Sequence, residues 1–274
     1  MTRKATFLLL TAVLFAASPA RADQLAEATK ILEFYQTENF LESALPCMER
    51  HLASDGKDLK MTPAQKKKVE SLIRRIYPAD NLYKIFKVSF AENFLEDKIK
   101  RKKDFLNNAG GIKLRQAYKS TIASGPGTRQ SFYNQNAAKI LTPNRKNSMM
   151  TFITSSEQDR AFAVMESRCY LAIALAHNST LTQNNRTSVR QLKDTAEKRE
   201  PSFIEEGRKK YEIFDFFLLR DHTQKEIDSL SLYYSSVDGA GFIKAYKKAL
   251  VVTMESAANT LYTQMSSTKP AGKK

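Results

Sequence analysis

Three histidines and two cysteines are all that this 274-residue chain offers for metal or nucleophilic chemistry of the commonest kinds. His51, His177 and His222 lie far apart. None has a second His or a carboxylate at i+3 or i+4 in a recognised metal-binding pattern, so no zinc site is encoded locally. The expectation for all three is a solvent-facing or helix-capping imidazole, with no metal and no cofactor. A site assembled only in three dimensions stays open. The chain has no nucleophile elbow, no phosphate-cradling glycine loop, no dinucleotide fingerprint and no Cys-x-x-Cys pair. The expectation is a protein that is not an enzyme.

Cys47 and Cys169 form an even pair. In an oxidising compartment that favours a bridge, while two buried thiols are the other reading. Phe40 stands seven residues before Cys47 and Phe162 seven before Cys169, so the two cysteines are candidates for equivalent places in two halves.

Residues 56–120 hold 17 Lys and Arg against 7 acids, a local excess of +10 in a chain whose net charge is +15. The excess gathers on Lys66, Lys67, Lys68, Arg74 and Arg75, and again on Lys98, Lys100, Arg101, Lys102 and Lys103. A solvated helix face is the plain reading of such runs. The functional one is an anion-binding surface.

The compartment narrows the partner. Residues 1–22 read as a secretory signal peptide: Arg3 and Lys4, an apolar run from Phe7 to Ala17, Pro19, then Ala20-Arg21-Ala22 as the cleavage signal, with cleavage after Ala22. Spanning a bilayer takes about 20 apolar residues, more than this run supplies. The mature chain is therefore expected to be periplasmic or secreted and not transmembrane. Nucleic acid is then not expected as a partner. Anionic lipid headgroups, lipopolysaccharide or acidic wall polymers are the candidates.

Helix signals dominate, with no convincing strand alternation, so an all-α protein is expected. Asp23 to Ala53 reads as one or two helices stopped by Ser54-Asp55-Gly56. Thr62-Pro63-Ala64-Gln65 is a capping box, and Pro78 ends the helix it opens. Ser124-Gly125-Pro126-Gly127 reads as the linker between halves. A long helix follows from Glu157 to His177, with a loop over Asn178 to Thr187. Ser202 is read as the start of an aromatic helix, Thr223-Gln224-Lys225-Glu226 opens the next, and the last runs from Asp238 to Met265.

The chain repeats itself at a spacing of 128 residues. Tyr83, Ile85, Phe86, Ile99, Gly111, Ala117, Tyr118 and Lys119 meet Tyr211, Ile213, Phe214, Ile227, Gly239, Ala245, Tyr246 and Lys247 without a gap. Phe105 meets Tyr233 and Leu114 meets Phe242. Core positions held while charges drift are the mark of a duplicated interior. The expected architecture is two related helical bundles, residues 23–124 (basic) and 125–266, with a disordered tail at 267–274.

Thr223, Glu226 and Ile227, followed by Tyr233-Tyr234-Ser235-Ser236-Val237-Asp238-Gly239, resemble the signature of the bacterial exported domain of unknown function 2059. Phe94, Ile99, Phe105 and Gly111 follow its spacing in the first half. Val237 and Ala109 stand where that signature has Pro. The resemblance implies an exported helical fold and carries no activity. Read as residues, Ser236 caps the last helix, Gly239 permits a close helix contact, and Tyr233 and Tyr234 pin the corner. The functional expectation is a non-catalytic binding or scaffold protein with a basic surface. The alternative is a carrier or chaperone for an apolar ligand in a cavity between the halves, lined by the helices Tyr83 to Phe94 and Tyr211 to Leu219.

Overall fold

The computed structural model describes residues 19–267; most of the expected leader, and the tail beyond Ser267, lie outside the described residues. The chain is all-α, and no strand occurs among the described residues. In chain order the helices are α1 (Pro19–Phe34), α2 (Thr37–Glu42), α3 (Ala44–Asp58), α4 (Pro63–Ile76), α5 (Ala79–Asn93), α6 (Glu96–Asn107), α7 (Ala109–Ala123), α8 (Gly125–Ile140), α9 (Pro143–Ser156), α10 (Gln158–Thr180), α11 (Val189–Leu218), α12 (Gln224–Ser235) and α13 (Val237–Ser266). No helix among them is long and apolar enough to cross a membrane.

Side-chain caps open six of the thirteen helices among the described residues. Thr62 and Gln65 close a reciprocal box at α4, and Thr223 and Glu226 do the same at α12. Three expectations need correction. The α3 helix runs through Ser54-Asp55-Gly56 to Asp58, with Lys60 just beyond it at φ +56°; Asp55 is held within it by His51 and Arg199. The α11 helix opens at Ser188, through a capping box with Gln191, and passes Pro201 without stopping. Its buried Ala196 and Gly207 tie that long helix to α10 on both sides of the proline, which offsets the lost amide bond. At residues 124–127 there is no extended linker: Ser124 joins α7 directly to α8, with Gly125 at φ +69° making the bend.

The α10 helix is the axle. Its small and aliphatic residues from Ala161 to Ala176 are almost all buried, and α3, α11 and α13 pack around it. Gly207 of α11 approaches so closely that a Cβ there would stand 2.8 Å from the Asp159 carbonyl oxygen. One continuous apolar core takes residues from both halves, in place of two separate bundle cores.

The two corners α6–α7 and α12–α13 are built alike. Asn108 accepts the Gly111 amide at 2.8 Å, and Ser236 accepts the Gly239 amide at 3.2 Å. A Cβ on Gly111 would lie 2.6 Å from the Leu106 Cα, and one on Gly239 would lie 2.6 Å from the Tyr234 Cα. Only glycine lets the first turn of each second helix rest on the backbone of the helix before it.

Contacts between the halves are reciprocal in the 128-residue register. Phe86 packs edge-on against Tyr246 at 4.9 Å, and Phe214 packs against Tyr118 at 6.1 Å. Lys113 pairs with Glu226 at 2.8 Å, while Lys98, which is Glu226's counterpart, reaches the surface of Gly241, which is Lys113's. Phe105 stacks on its own counterpart Tyr233, with ring centres 3.5 Å apart and planes 7° from parallel.

Gly239→Ala is expected to lower unfolding stability by about 3 kcal/mol or more in urea titration, because helix backbone must move to admit a methyl group. Gly127→Ala, whose Cβ meets nothing within 4 Å, should be neutral or stabilising by up to about 1 kcal/mol. Equal effects at the two positions would count against the corner geometry.

Candidate functional site: an aromatic cavity and a buried histidine network

A cavity of about 490 Å³ opens where the turn between α1 and α2 meets α7, the start of α8, the α9–α10 junction, α11 and α13. That volume suits one small organic ligand. Tyr35, Phe40, Tyr118, Phe214, Phe242 and Tyr246 form most of its apolar wall. Three of the four positive-φ residues in the described chain line it: Gln36 at +51°, Glu157 at +50° and Gly125 at +69°. A left-handed Gln or Glu costs of order 1 kcal/mol, and such residues gather at ligand sites. Lys247, which pairs with Glu157, lies on the wall together with Arg129 and Lys210. Arg129 donates to the Thr121 carbonyl oxygen at 2.7 Å. Lys210 is exposed, its amine 4.6 Å from the centre of the Phe162 ring, and no ion-pair partner for it occurs within 4.0 Å among the described residues.

The second expected aromatic helix therefore contributes to the cavity through Tyr211, Ile213 and Phe214, whereas the first does not. Phe86 and Phe90 of α5 are fully buried against α13 instead. Behind the wall lies Asp215, also fully buried. Burial pushes its carboxyl well above the ordinary carboxylate range, against the weaker opposing pull of a long hydrogen bond from Gln158.

Lys102 is the main departure from the expected basic surface. Only 1% exposed, it carries its amine into a ring of aromatic faces and has no hydrogen-bond partner. The centres of Tyr35, Phe105, Tyr233, Tyr234 and Phe242 lie 4.2–5.0 Å from Nζ. Burial holds this amine well below the ordinary lysine value, while the ring faces attract whatever cation forms there. Tyr35, Tyr234 and Phe242 serve both this cage and the cavity wall.

The other basic candidates stay outside, and many already have partners. Arg74 pairs with Glu49 and Glu70, Arg101 with Asp97 and Asp238, and Lys103 with Glu27. Lys68 and Arg75 reach Met265 and Gln264 on α13. Lys66, Lys67, Lys98 and Lys100 have no ion pair within 4.0 Å among the described residues. They do not converge on the cavity.

Two of the three histidines are buried, contrary to the surface reading. His222 is 3% exposed with neither ring nitrogen hydrogen-bonded, and burial, helped by the charge of Lys113, lowers its pKa. Its carbonyl, with those of Leu219 and Arg220 at the end of α11, is held by the Arg145 guanidinium. His177 is half-buried, with its pKa also lowered by burial.

His51 stands between two buried carboxylates: Nδ1 lies 2.5 Å from Asp55 and Nε2 lies 3.0 Å from Glu166. Arg199 holds the far oxygen of Asp55 at 2.9 Å, and Arg50 holds that of Glu166 at 2.5 Å. Burial alone would raise both carboxyl pKa values. Hydrogen bonds from His51 and from the two arginines outweigh it, and both end below the ordinary range. Directly above lies the disulfide joining Cys47 of α3 to Cys169 of α10, with Cα atoms 6.3 Å apart.

Comparison of the chain with protein-family models, curated proteins and solved structures finds no match. The geometry carries the functional reading by itself.

Sequence reasoning missed Asp55, Glu166 and the burial of Lys102. Asp55 follows His51 by one helical turn, which was a usable signal. Lys102 stands 128 residues before Leu230, so the repeat register marked it as a core position. Glu166 had no linear signal.

Lys102→Met should raise unfolding stability by about 1–3 kcal/mol at pH 7, because a buried amine is replaced by an apolar chain of like shape. With the folded-state pKa below the unfolded one, the unfolded chain binds the extra proton. Wild-type stability relative to the variant is therefore lowest at low pH and recovers as pH rises toward the unfolded lysine value of 10.5. Denaturant titrations of both chains across that window check it. A variant less stable than wild type at every pH would contradict it.

Proposed function

We propose that this chain is an exported, non-catalytic binding protein that carries an amphiphilic ligand, with its apolar body in the aromatic cavity and an anionic head at Lys210. The observation that supports it most is the cavity itself: about 490 Å³, walled by tyrosine and phenylalanine, with left-handed Gln36 and Glu157 at its edge and an unpaired amine beside it. The cleft is open to solvent, and apolar wall left in contact with water forgoes about 25 cal/mol per Å² of burial. Retaining it at the cost of strained backbone suits a ligand. Tyrosines, apolar in body and polar at the tip, fit an occupant of mixed character.

The reading of lysines and arginines as a docking surface for anionic envelope components rests on fewer charges than the ten first considered. Lys102 is interior, and Arg74, Arg101 and Lys103 are paired within the chain. Lys66, Lys67, Lys98 and Lys100 remain for it. The reciprocal contacts support a further reading, that the halves arose by duplication of one helical unit. The shared cap-and-glycine corner is also the part of the chain that resembles the exported domain of unknown function 2059.

Titration with anilinonaphthalene sulfonate, an anionic fluorescent amphiphile, tests the cavity reading. One probe per chain is expected, displaced by a single-chain fatty acid. Ala161→Trp, which fills the cavity, and Lys210→Glu should each weaken binding by about tenfold or more, roughly 1.4 kcal/mol. Replacing Lys66, Lys67, Lys98 and Lys100 with Gln should leave it unchanged. Undiminished binding by a folded Ala161→Trp chain would dismiss the cavity, and loss of binding in the Gln variant would favour the basic surface.

A further inference from the structure

The His51 network and the disulfide belong to one cluster, distinct from the cavity. Cys47 and His51 are one turn apart on α3, and Glu166 and Cys169 one turn apart on α10. The two helices face each other, and the ligating atoms of Cys47, His51 and Glu166 all lie within 4.8 Å of one another. Cys169 Sγ is bonded to Cys47 Sγ and shares that place.

We infer that reduction of the Cys47–Cys169 disulfide converts this cluster into a four-ligand site for a zinc-type divalent ion, made of two thiolates, the His51 imidazole and the Glu166 carboxylate. The donor set is the one that selects zinc over harder ions, and two sulfurs with one nitrogen and one oxygen accept a tetrahedral arrangement. Tetrahedral ligands at about 2.0–2.3 Å from the metal stand roughly 3.3–3.8 Å from one another. His51 Nε2 and Glu166 Oε2 are already 3.0 Å apart, so the ion would take the place of the proton they share. The remaining contraction, from 4.8 Å, is within the reach of side-chain rotation once the sulfurs are no longer bonded to each other.

The surrounding shell is that of a metal-ligating histidine. The Nδ1 of His51 faces the Asp55 carboxylate at 2.5 Å, which fixes the ring and leaves Nε2 for the ion. Arg199 holds Asp55, and Arg50 holds Glu166. All four ligands are buried: Cys169 and Cys47 are at most 1% exposed, and His51 and Glu166 are 6% and 3%. The chemistry balances simply. A dithiol reductant supplies two electrons and two protons, giving two thiols and an oxidised dithiol; metal binding then releases to solvent the two thiol protons and any proton held between His51 Nε2 and Glu166. The oxidised chain, whose sulfurs are spent in the bridge, lacks two of the four ligands.

Cobalt(II) is the probe, added to the full chain before and after treatment with a dithiol, with helix content followed by circular dichroism. The reduced wild type should take up one ion with a thiolate-to-cobalt charge-transfer band and intense tetrahedral visible bands, reversed by zinc. The oxidised chain should show neither band. His51→Ala and Glu166→Gln should abolish the tetrahedral spectrum, and Asp55→Asn should weaken binding by about 10–100-fold while keeping its shape. A reduced, helical wild type with no charge-transfer band would overturn the proposal. So would a band that survives in His51→Ala, or one equally strong in the oxidised chain. Reduction that unfolds the chain without recovery on adding zinc would overturn it as well.

Discussion

The close backbone contact at two glycines, Gly111 and Gly239, is what the rest of the structure depends on. Each lets a helix begin directly on top of the one before it, so α7 and α13 leave their corners at a fixed angle. The corners then meet through Phe105 and Tyr233, stacked almost in parallel. From there α13 runs back across α5 and α10, and α7 runs across α11. Rings on α5 and α11 are covered in part by the opposite half: Phe86 and Phe90 meet Tyr246 and Phe242 of α13, and Phe214 meets Tyr118 of α7, while Phe216 and Phe217 pack on Phe132 and Tyr133 of α8. Neither half keeps its core to itself.

This interleaving accounts for the polar groups found inside. Where two halves pack by reciprocal contacts, a position that faces solvent in an isolated unit faces the partner's rings in the joined one. Lys102 holds the place that Leu230 holds in the other half, and it sits among five aromatic faces because the corners close over it. The cavity opens on the same seam, between the α1–α2 turn, α11 and α13. On the other side of α10, the seam with α3 is held by the Cys47–Cys169 bridge and by His51 between two carboxylates. The aromatic seam leaves room for a ligand, whereas the polar seam is cross-linked.

Much of this was legible in residue types and spacing. The second corner announced itself through Ser236 with Gly239, because an N-cap followed by a glycine is a local pattern with a local cause. The boxes at Thr62 and Thr223 were equally local. What escaped was set by distant packing. Pro201 should stop a helix, yet Gly207 and Ala196 bind α11 to α10 on both sides of it. Ser54-Asp55-Gly56 looks like a stop until His51 and Arg199 claim Asp55. The histidine network was half readable, since Asp55 lies a turn from His51, while Glu166 is brought in only by the crossing of α3 and α10. The basic run misled because charge was taken for exposure, although the 128-residue register already paired Lys102 with a leucine.

The central claim, that the two halves complete one interior, is tested most directly by making them apart. Residues 23–124 and 125–266 would be expressed as separate chains, and their unfolding followed alone and after mixing under non-reducing conditions. Each alone should be loosely helical without a cooperative transition, because Phe86 and Phe90 lose Tyr246 and Phe242, and Phe214 loses Tyr118; mixed, the two should associate one to one and regain cooperative unfolding. A first half that unfolds cooperatively as a monomer, unchanged by the second, would contradict the account.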